Sequence, residues 1–429
     1  MAKKLGLILS LKIYFRFFES RVHKIVNSLI QKDDKRVLFV PHESCLKDGY
    51  DIINWTGDNA LCLAHYMIDS DSYRGYSFVI IVDYQEKVEE YSNYCKSLNS
   101  TVDITFVNRK SAKQIRKLFY KSKYAFVSSS VITFNSRTSS QIIVDLNYFT
   151  PFKNDYPYNE SFRRMIYRTR KCFDYVITTA HLPSRIQALD LGLPLNSFLD
   201  LGFPRNDIFY RENSGEVLRY VQKKFFQDTQ KIIMFTPTFR DYEKDKSLTR
   251  DLFGYSSFDY DGLEDVLSTF HAVIIVKMHT LQVENVDISA IKQRCKHIIL
   301  FNELNCQYSL YQCLAEASCL ITDYTSVYFD YLHKDKPVIF NFYDVVEYTK
   351  LRGLSYYPIE SFIAGSIVKT NEELKFAIES VLKGEDPYYN QRQILKRLFD
   401  SHYDGLSAKR ICERFFLIEE SAEMKRYGY

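Results

Sequence analysis

Two hydroxyls set between two acids, in Asp323-Tyr-Thr-Ser-Val-Tyr-Phe-Asp330, are the residues of this chain best suited to gripping a phosphate. Thr325 and Ser326 can donate to phosphate oxygens without adding charge, and unpaired backbone N–H groups at a helix start favour anions. An ordinary helix cap uses the same residue types, because Asp, Thr and Ser are the usual capping residues. Both readings need a strand-to-helix turn. The flanking sequence predicts one: Ser318-Cys-Leu-Ile321 reads as a short buried strand, and Val327-Tyr-Phe-Asp-Tyr-Leu332 has the apolar density of a following helix.

Three other segments place reactive types after apolar runs. Thr236-Pro-Thr-Phe-Arg-Asp241 follows the run 231–235; Pro237 ends the strand, while Thr238 and Arg240 can reach a phosphate. Arg240 beside Asp241 also fits a solvated surface pair. Lys277-Met-His279 follows the run 272–276, and residues two apart in an extended segment point the same way. A histidine beside an anion can stabilise a diphosphate leaving group or donate a proton to it, although a lone histidine is more often a satisfied core or surface residue. In Leu201-Gly-Phe-Pro-Arg-Asn-Asp207, Gly202 and Pro204 shape a turn and Arg205 offers a fixed cationic fork.

These segments depend on the elements that carry them. Apolar runs at 36–40, 78–83, 102–106, 124–128, 141–144 and 175–179 alternate with helical patterns such as 58–68 and 112–121. A second series, at 231–235, 272–276, 298–301, 319–322 and 336–340, alternates with helices expected over 308–317 and 371–382. Such alternation predicts an α/β fold with parallel sheets covered by helices. Two halves meeting near residues 210–228 resemble the two-Rossmann arrangement called GT-B, in which ligands bind at strand carboxyl ends facing a cleft. The expected organisation is an N-terminal segment over 1–34, a first Rossmann-like domain over 35–210, a second over 211–385, and C-terminal helices over 386–429 that pack back on the first domain.

A chain of 429 residues exceeds the size at which one core stops growing, which agrees with two domains. Its net charge of +4 is too small to imply nucleic-acid binding by itself. The nine cysteines form no CxxC pair, which argues for a reducing compartment and against structural zinc. Carboxylates are dispersed, so neither a metal cluster nor a cofactor is expected. The N-terminus mixes apolar residues with Lys3, Lys4, Lys12, Arg16, Arg21 and Lys24, leaving no uninterrupted apolar span of the ~18–20 residues needed to cross a bilayer. A basic amphipathic helix on an anionic membrane surface fits this pattern, as does a helix packed on its own protein.

The order of these motifs resembles the CDP-glycerol glycerophosphotransferase family of teichoic-acid primases and polymerases. Gly-Phe-Pro-Arg-Asn-Asp, Thr-Pro-Thr-Phe-Arg-Asp, Lys-Met-His and Thr-Asp-Tyr-Thr-Ser-Val-Tyr-Phe-Asp are followed by Lys336-Pro-Val-Ile-Phe340 with Tyr343-Asp344 and by Arg352-Gly-Leu-Ser-Tyr-Tyr. The resemblance covers roughly residues 36–390. It implies a GT-B transferase, peripheral to the cytoplasmic face of the bacterial membrane, that makes teichoic acid or a related capsular polymer. Such an enzyme moves a polyol phosphate from a CDP-activated donor to a hydroxyl on a lipid-linked or polymeric acceptor and releases CMP. Donor contacts carry over to Arg205, Pro237, Thr238, Lys277, His279, Thr325, Ser326 and Asp330, with His279 stabilising or protonating the departing phosphate.

One departure concerns the acceptor side. The family places Trp-His-Gly-Thr-Pro at the end of the first domain's last strand, its histidine being the base. Here Asn147, Tyr148 and Phe149 replace Trp-His-Gly. Tyr148 therefore occupies the base's position, and a phenol with an ordinary pKa near ~10 is a poor base at neutral pH. Asp145 as the base, Tyr148 acting with a cationic neighbour or on an acidic acceptor, and a member that binds nucleotide without transferring are the alternatives.

Overall fold

A computed structural model of the chain describes residues 20–42, 57–83, 88–128, 136–147, 150–152, 172–211, 215–238, 240, 251–278, 286–304 and 308–416. Their strands form two wholly parallel sheets. The first contains β1 (Asp33–Val40), β2 (Ser77–Val82), β3 (Asp103–Asn108), β4 (Ser122–Val127), β5 (Ile142–Asp145), β6 (Tyr175–Thr178) and β7 (Phe198–Asp200), in the spatial order β3-β2-β1-β4-β5-β6-β7. β8 (Lys231–Thr236), β9 (Ala272–Val276), β10 (Ile298–Leu300), β11 (Cys319–Thr322), β12 (Val338–Asn341) and β13 (Ser366–Val368) make the second, in the order β10-β9-β8-β11-β12-β13. This is the expected GT-B arrangement of two Rossmann-like sheets.

Continuous apolar strands such as Ser77–Val82 and Ala272–Val276 are buried throughout, as parallel strands covered on both faces must be. The period of two sorts each strand's side chains between the covers. Phe39, Phe78 and Phe126 face one core, while Leu38, Val79 and Ala125 face the other with Ile115 and Phe119 from helix Ala112–Lys121. The C-terminal helix Ser407–Phe416 closes the first of these faces. Its Phe416 ring lies 4.7 Å from Tyr124, and its Phe415 ring 5.8 Å from Phe126. Asp207 caps that helix by accepting from the backbone N–H groups of Ser407 and Ala408 at 2.9 Å each.

β7 and β13 were not predicted. Each is three residues long, too short to show a periodicity of its own. At the N-terminus, residues 1–19 of the expected amphipathic helix lie outside the described residues; 20–28 are helical, and β1 begins at Asp33. Among the described residues no helix is long and apolar enough to cross a membrane.

In each sheet the strand order reverses once: between β1 and β4 in the first, and between β8 and β11 in the second. At such a switch point the flanking connections leave to opposite faces and open a crevice beyond the strands' carboxyl ends. Of the predicted donor segments, Thr236–Thr238 with Arg240 and Asp323–Ser326 flank the crevice of the second sheet.

Candidate active site

β8 and β11 pair in register with Thr322 beside Thr236, so the turns after them emerge together. Asp323 joins them. Its carboxylate accepts from the Thr238 backbone N–H at 2.9 and 3.0 Å, from the Thr238 hydroxyl at 2.6 Å and from the Tyr324 N–H at 2.6 Å. Arg240 completes this wall. It is 4% exposed and donates through Nε and Nη2 to both oxygens of Asp344, at 2.9 and 3.1 Å, and through Nη1 to Asp323.

The rings of Tyr324, Tyr343 and Tyr348 stand 5.2–5.4 Å from the Arg240 guanidinium carbon. Burial works against the guanidinium's charge, and the carboxylates of Asp323 and Asp344 more than offset it, holding its pKa above the ordinary arginine value. Burial, with Asp344 and Asp323 beside it, also pushes the Tyr324 phenol up, so that it stays neutral and donates to Asp344 at 3.0 Å. Arg240 is thus a buried member of the wall rather than a solvated surface charge; Asp241 lies outside the described residues.

Thr325 and Ser326 stand half-buried before helix Val327–Tyr331. Of the two readings of this turn, capping accounts for little. Ser326 occupies the N-cap position without a side-chain capping bond, and Thr325 accepts from Val327 N–H at a long 3.4 Å. The acid that precedes them is committed to Thr238 and Arg240 instead. Pro237 is half-buried at the end of β8. Lys277 follows β9, its N–H bonded to the Phe235 carbonyl at 2.9 Å and its Nζ 5.4 Å from the Phe301 ring. The segment Thr236–Thr238, Arg240, Lys277, Thr325 and Ser326 therefore lie along the carboxyl edge of the adjacent strands β9, β8 and β11. His279 and Tyr148 lie outside the described residues.

Arg205 and Asp330 meet each other. Arg205 Nη2 donates to Asp330 Oδ2 at 2.9 Å, and both side chains are 2% exposed. Asp330 also accepts from Tyr311 OH at 2.6 Å and from Asn206 Nδ2 at 3.1 Å. Next to this pair, His333 Nε2 lies 2.9 Å from Asp400 Oδ2, and its Nδ1 lies 3.1 Å from Tyr210 OH. The cluster ties the turn after the first sheet to the helix behind Thr325 and Ser326. Asn59, which opens helix Asn59–Asp69 in the first half, joins it by accepting from Arg205 N–H at 3.2 Å while donating to the Leu146 and Asn147 carbonyls at 3.1 Å each.

In the region expected to face the acceptor, Asp145 is buried at the end of β5 and accepts from Asn147 N–H at 2.9 Å. Asn147 has a left-handed φ of 60°, a conformation that asparagine tolerates better than most residues, and donates to Gln187 at 2.7 Å. Sequence reasoning missed Asp344, Asn206, Tyr311, His333 and Asp400 as parts of the site. Asp344 had a signal in the Tyr343-Asp344 motif and Asn206 in Gly-Phe-Pro-Arg-Asn-Asp; Tyr311, His333 and Asp400 lie outside the motifs and carry none that a single sequence displays. Among the described residues no group of three or more His, Cys, Asp or Glu side chains is arranged to hold a metal ion.

Two Rossmann-like sheets, with polar residues gathered at the switch point of the second, define a protein of the GT-B class. Within that class, the chain belongs to the CDP-Glycerol:Poly(glycerophosphate) glycerophosphotransferase family, whose model matches residues 24–417. It is 26% identical over 267 residues to the teichoic acid glycerol-phosphate transferase of Staphylococcus aureus, an alignment covering 61% of this chain and 64% of that protein. With the teichoic acid poly(glycerol phosphate) polymerase of Bacillus spizizenii it shares 25% identity over 338 residues, covering 74% of this chain and 80% of the relative. The structure of the wall teichoic acid polymerase TagF superposes with a TM-score of 0.72 at 20% identity, over 99% of this chain and 98% of that one, and so shares the fold.

Proposed function

We propose that this protein transfers glycerol phosphate, or a closely related polyol phosphate, from a CDP-activated donor to a hydroxyl of a lipid-linked or polymeric acceptor in teichoic acid synthesis, releasing CMP. The observation that carries this reading is the convergence of Thr238, Lys277, Thr325 and Ser326 on the switch-point edge of the second sheet, in a chain matched by this family over nearly its whole length. The acceptor oxygen attacks the donor's β-phosphorus in line, and catalysis consists largely of positioning and charge neutralisation. Thr325 and Ser326 donate to the diphosphate, Lys277 offsets its charge, and His279 protonates or stabilises the departing CMP; Thr238, whose hydroxyl and N–H are both given to Asp323, helps to shape the edge.

Arg205, Asp330, Arg240 and Asp323 act as positioning residues in this reading, because their charged groups are bonded mainly to one another and to Asp344. Membrane association belongs to the same proposal. Helical residues 20–28 and the adjoining Leu29 expose Val22, Ile25, Val26 and Leu29 among Arg21 and Lys24, a composition suited to an anionic bilayer surface.

CDP-glycerol, CDP-ribitol and nucleotide sugars, each radiolabelled and offered with a lipid-linked acceptor, test the assignment. Incorporation from a CDP-polyol with stoichiometric CMP release is expected, and His279→Ala should reduce it strongly. Incorporation from a nucleotide sugar alone would defeat the reading.

A further inference from the structure

With Tyr148 at the family's base position, the acceptor hydroxyl's proton has only a poor taker there. The neighbouring strand end supplies an imidazole. β6 pairs with β5, Val176 lying beside Asp145, so their carboxyl ends emerge side by side. Tyr148 comes three residues after Asp145 in the chain, and His181 comes three residues after Thr178, the last residue of β6. His181 opens helix His181–Leu191, and its side chain is 88% exposed at this edge.

Asp200 orients the ring. His181 Nδ1 lies 3.0 Å from Asp200 Oδ2. A carboxylate only accepts, so Nδ1 carries the hydrogen and Nε2 keeps the free lone pair. Asp200, at the end of β7 with its side chain 16% exposed, is itself fixed. Its Oδ1 accepts from the Thr178 hydroxyl at 2.7 Å and from the Ser184 hydroxyl, and its carbonyl accepts from His402 Nε2 at 2.9 Å. A carboxylate held by two hydroxyls and bonded to one nitrogen of an exposed imidazole has the arrangement of a general-base dyad. The other histidine–carboxylate pairs lack that combination. His271–Asp228 and His297–Glu264 place their histidines just before β9 and β10, at the amino edge of their sheet, and His333–Asp400 is buried.

Two contacts join the end of β6 to the proposed donor edge. The Thr179 hydroxyl donates to the Phe399 carbonyl at 2.5 Å, and the Phe399 ring stands 4.3 Å from Phe329, in the helix that follows Ser326. Resting on the functional reading above, we propose that His181 is the acceptor-side base and Asp200 its positioning residue. His181 Nε2 takes the acceptor hydroxyl's proton as the oxygen bonds to the donor's β-phosphorus. The bond from that phosphorus to the bridging oxygen breaks, its electron pair leaving with CMP. The imidazolium, stabilised by Asp200, then passes its proton to solvent, as its exposure allows. An exposed base also suits an acceptor that is the end of a bulky lipid-linked or polymeric chain.

Steady-state transfer from CDP-glycerol to a lipid-linked acceptor tests this with wild type, His181→Ala, Asp200→Asn and His271→Asn, with CDP affinity measured by calorimetry and folding by melting curves. His181→Ala should lose about 10²–10⁴-fold in kcat with CDP affinity unchanged, and added imidazole should restore part of the rate. Asp200→Asn should lower kcat with the KM for CDP-glycerol unchanged, and His271→Asn should transfer like wild type. A folded His181→Ala protein with wild-type kcat, or a loss that imidazole does not restore, would overturn the assignment, as would a comparable collapse confined to Asp145→Asn or Tyr148→Phe. Wild-type kcat in Asp200→Asn would remove the positioning role. A folded wild-type protein that binds CDP but transfers nothing from CDP-glycerol would bring down the functional reading, and this proposal with it.

Discussion

Two kinds of residue make up the proposed donor wall, and they should respond differently to mutation. Arg240 is enclosed by two carboxylates and three tyrosine rings, so Arg240→Ala leaves Asp323 and Asp344 buried without their cation. Removing one partner of a buried pair costs about 3–5 kcal/mol, and a denaturant titration should show a loss of that order. Ser326 forms no capping bond, so Ser326→Ala should leave the melting temperature near wild type while weakening CDP binding and transfer. The hydroxyl positions were legible in the sequence because they follow recognisable strands. Arg240's true partners were not: Asp323 and Asp344 lie 83 and 104 residues away, a distance no local pattern spans.

Among the elements, the long apolar strands and the helices with sharp ends were legible. Helices Ala112–Lys121 and Asn371–Leu382 lie where the sequence predicts them, the latter opened by a capping box between Thr370 and Glu373. β7 and β13 were hidden because three-residue strands are defined by their neighbours rather than by their own composition. The turn after β7 gives this level a specific test. Gly202 has φ of +82°, and a Cβ there would come within 2.5 Å of Ser407 Oγ at the start of the C-terminal helix. Left-handed strain alone costs about 1–2 kcal/mol. Gly202→Ala should therefore destabilise the protein by at least that much, and hydrogen exchange should show the earliest loss of protection in helix Ser407–Phe416.

Across the whole molecule, the helix Ser407–Phe416, late in the chain, completes the core of the first sheet. Phe416 is buried against Tyr73, Tyr76, Tyr124 and Phe126, and Asp207 fixes the helix that carries it. Phe416→Ala should cost about 3–5 kcal/mol, as large-to-small changes in aromatic cores do, and calorimetric unfolding would register it as a lowered transition of the first sheet's core. The same long-range economy brings the two halves together. Phe152, beyond β5, packs 5.2 Å from Phe329 of the second half, and Asn59, Arg205 and Asp330 run parallel to that contact. These contacts link the first half to the helix that follows Thr325 and Ser326, on the edge proposed to hold the donor.

A crystal structure of the protein with CDP bound tests that donor wall most directly. The diphosphate should lie beyond the ends of β8 and β11, within hydrogen-bonding distance of Thr325 and Ser326, with Arg240 still paired to Asp323 and Asp344. A nucleotide bound away from those strand ends, or one that draws Arg240 out of its cage to meet the phosphates, would contradict the account.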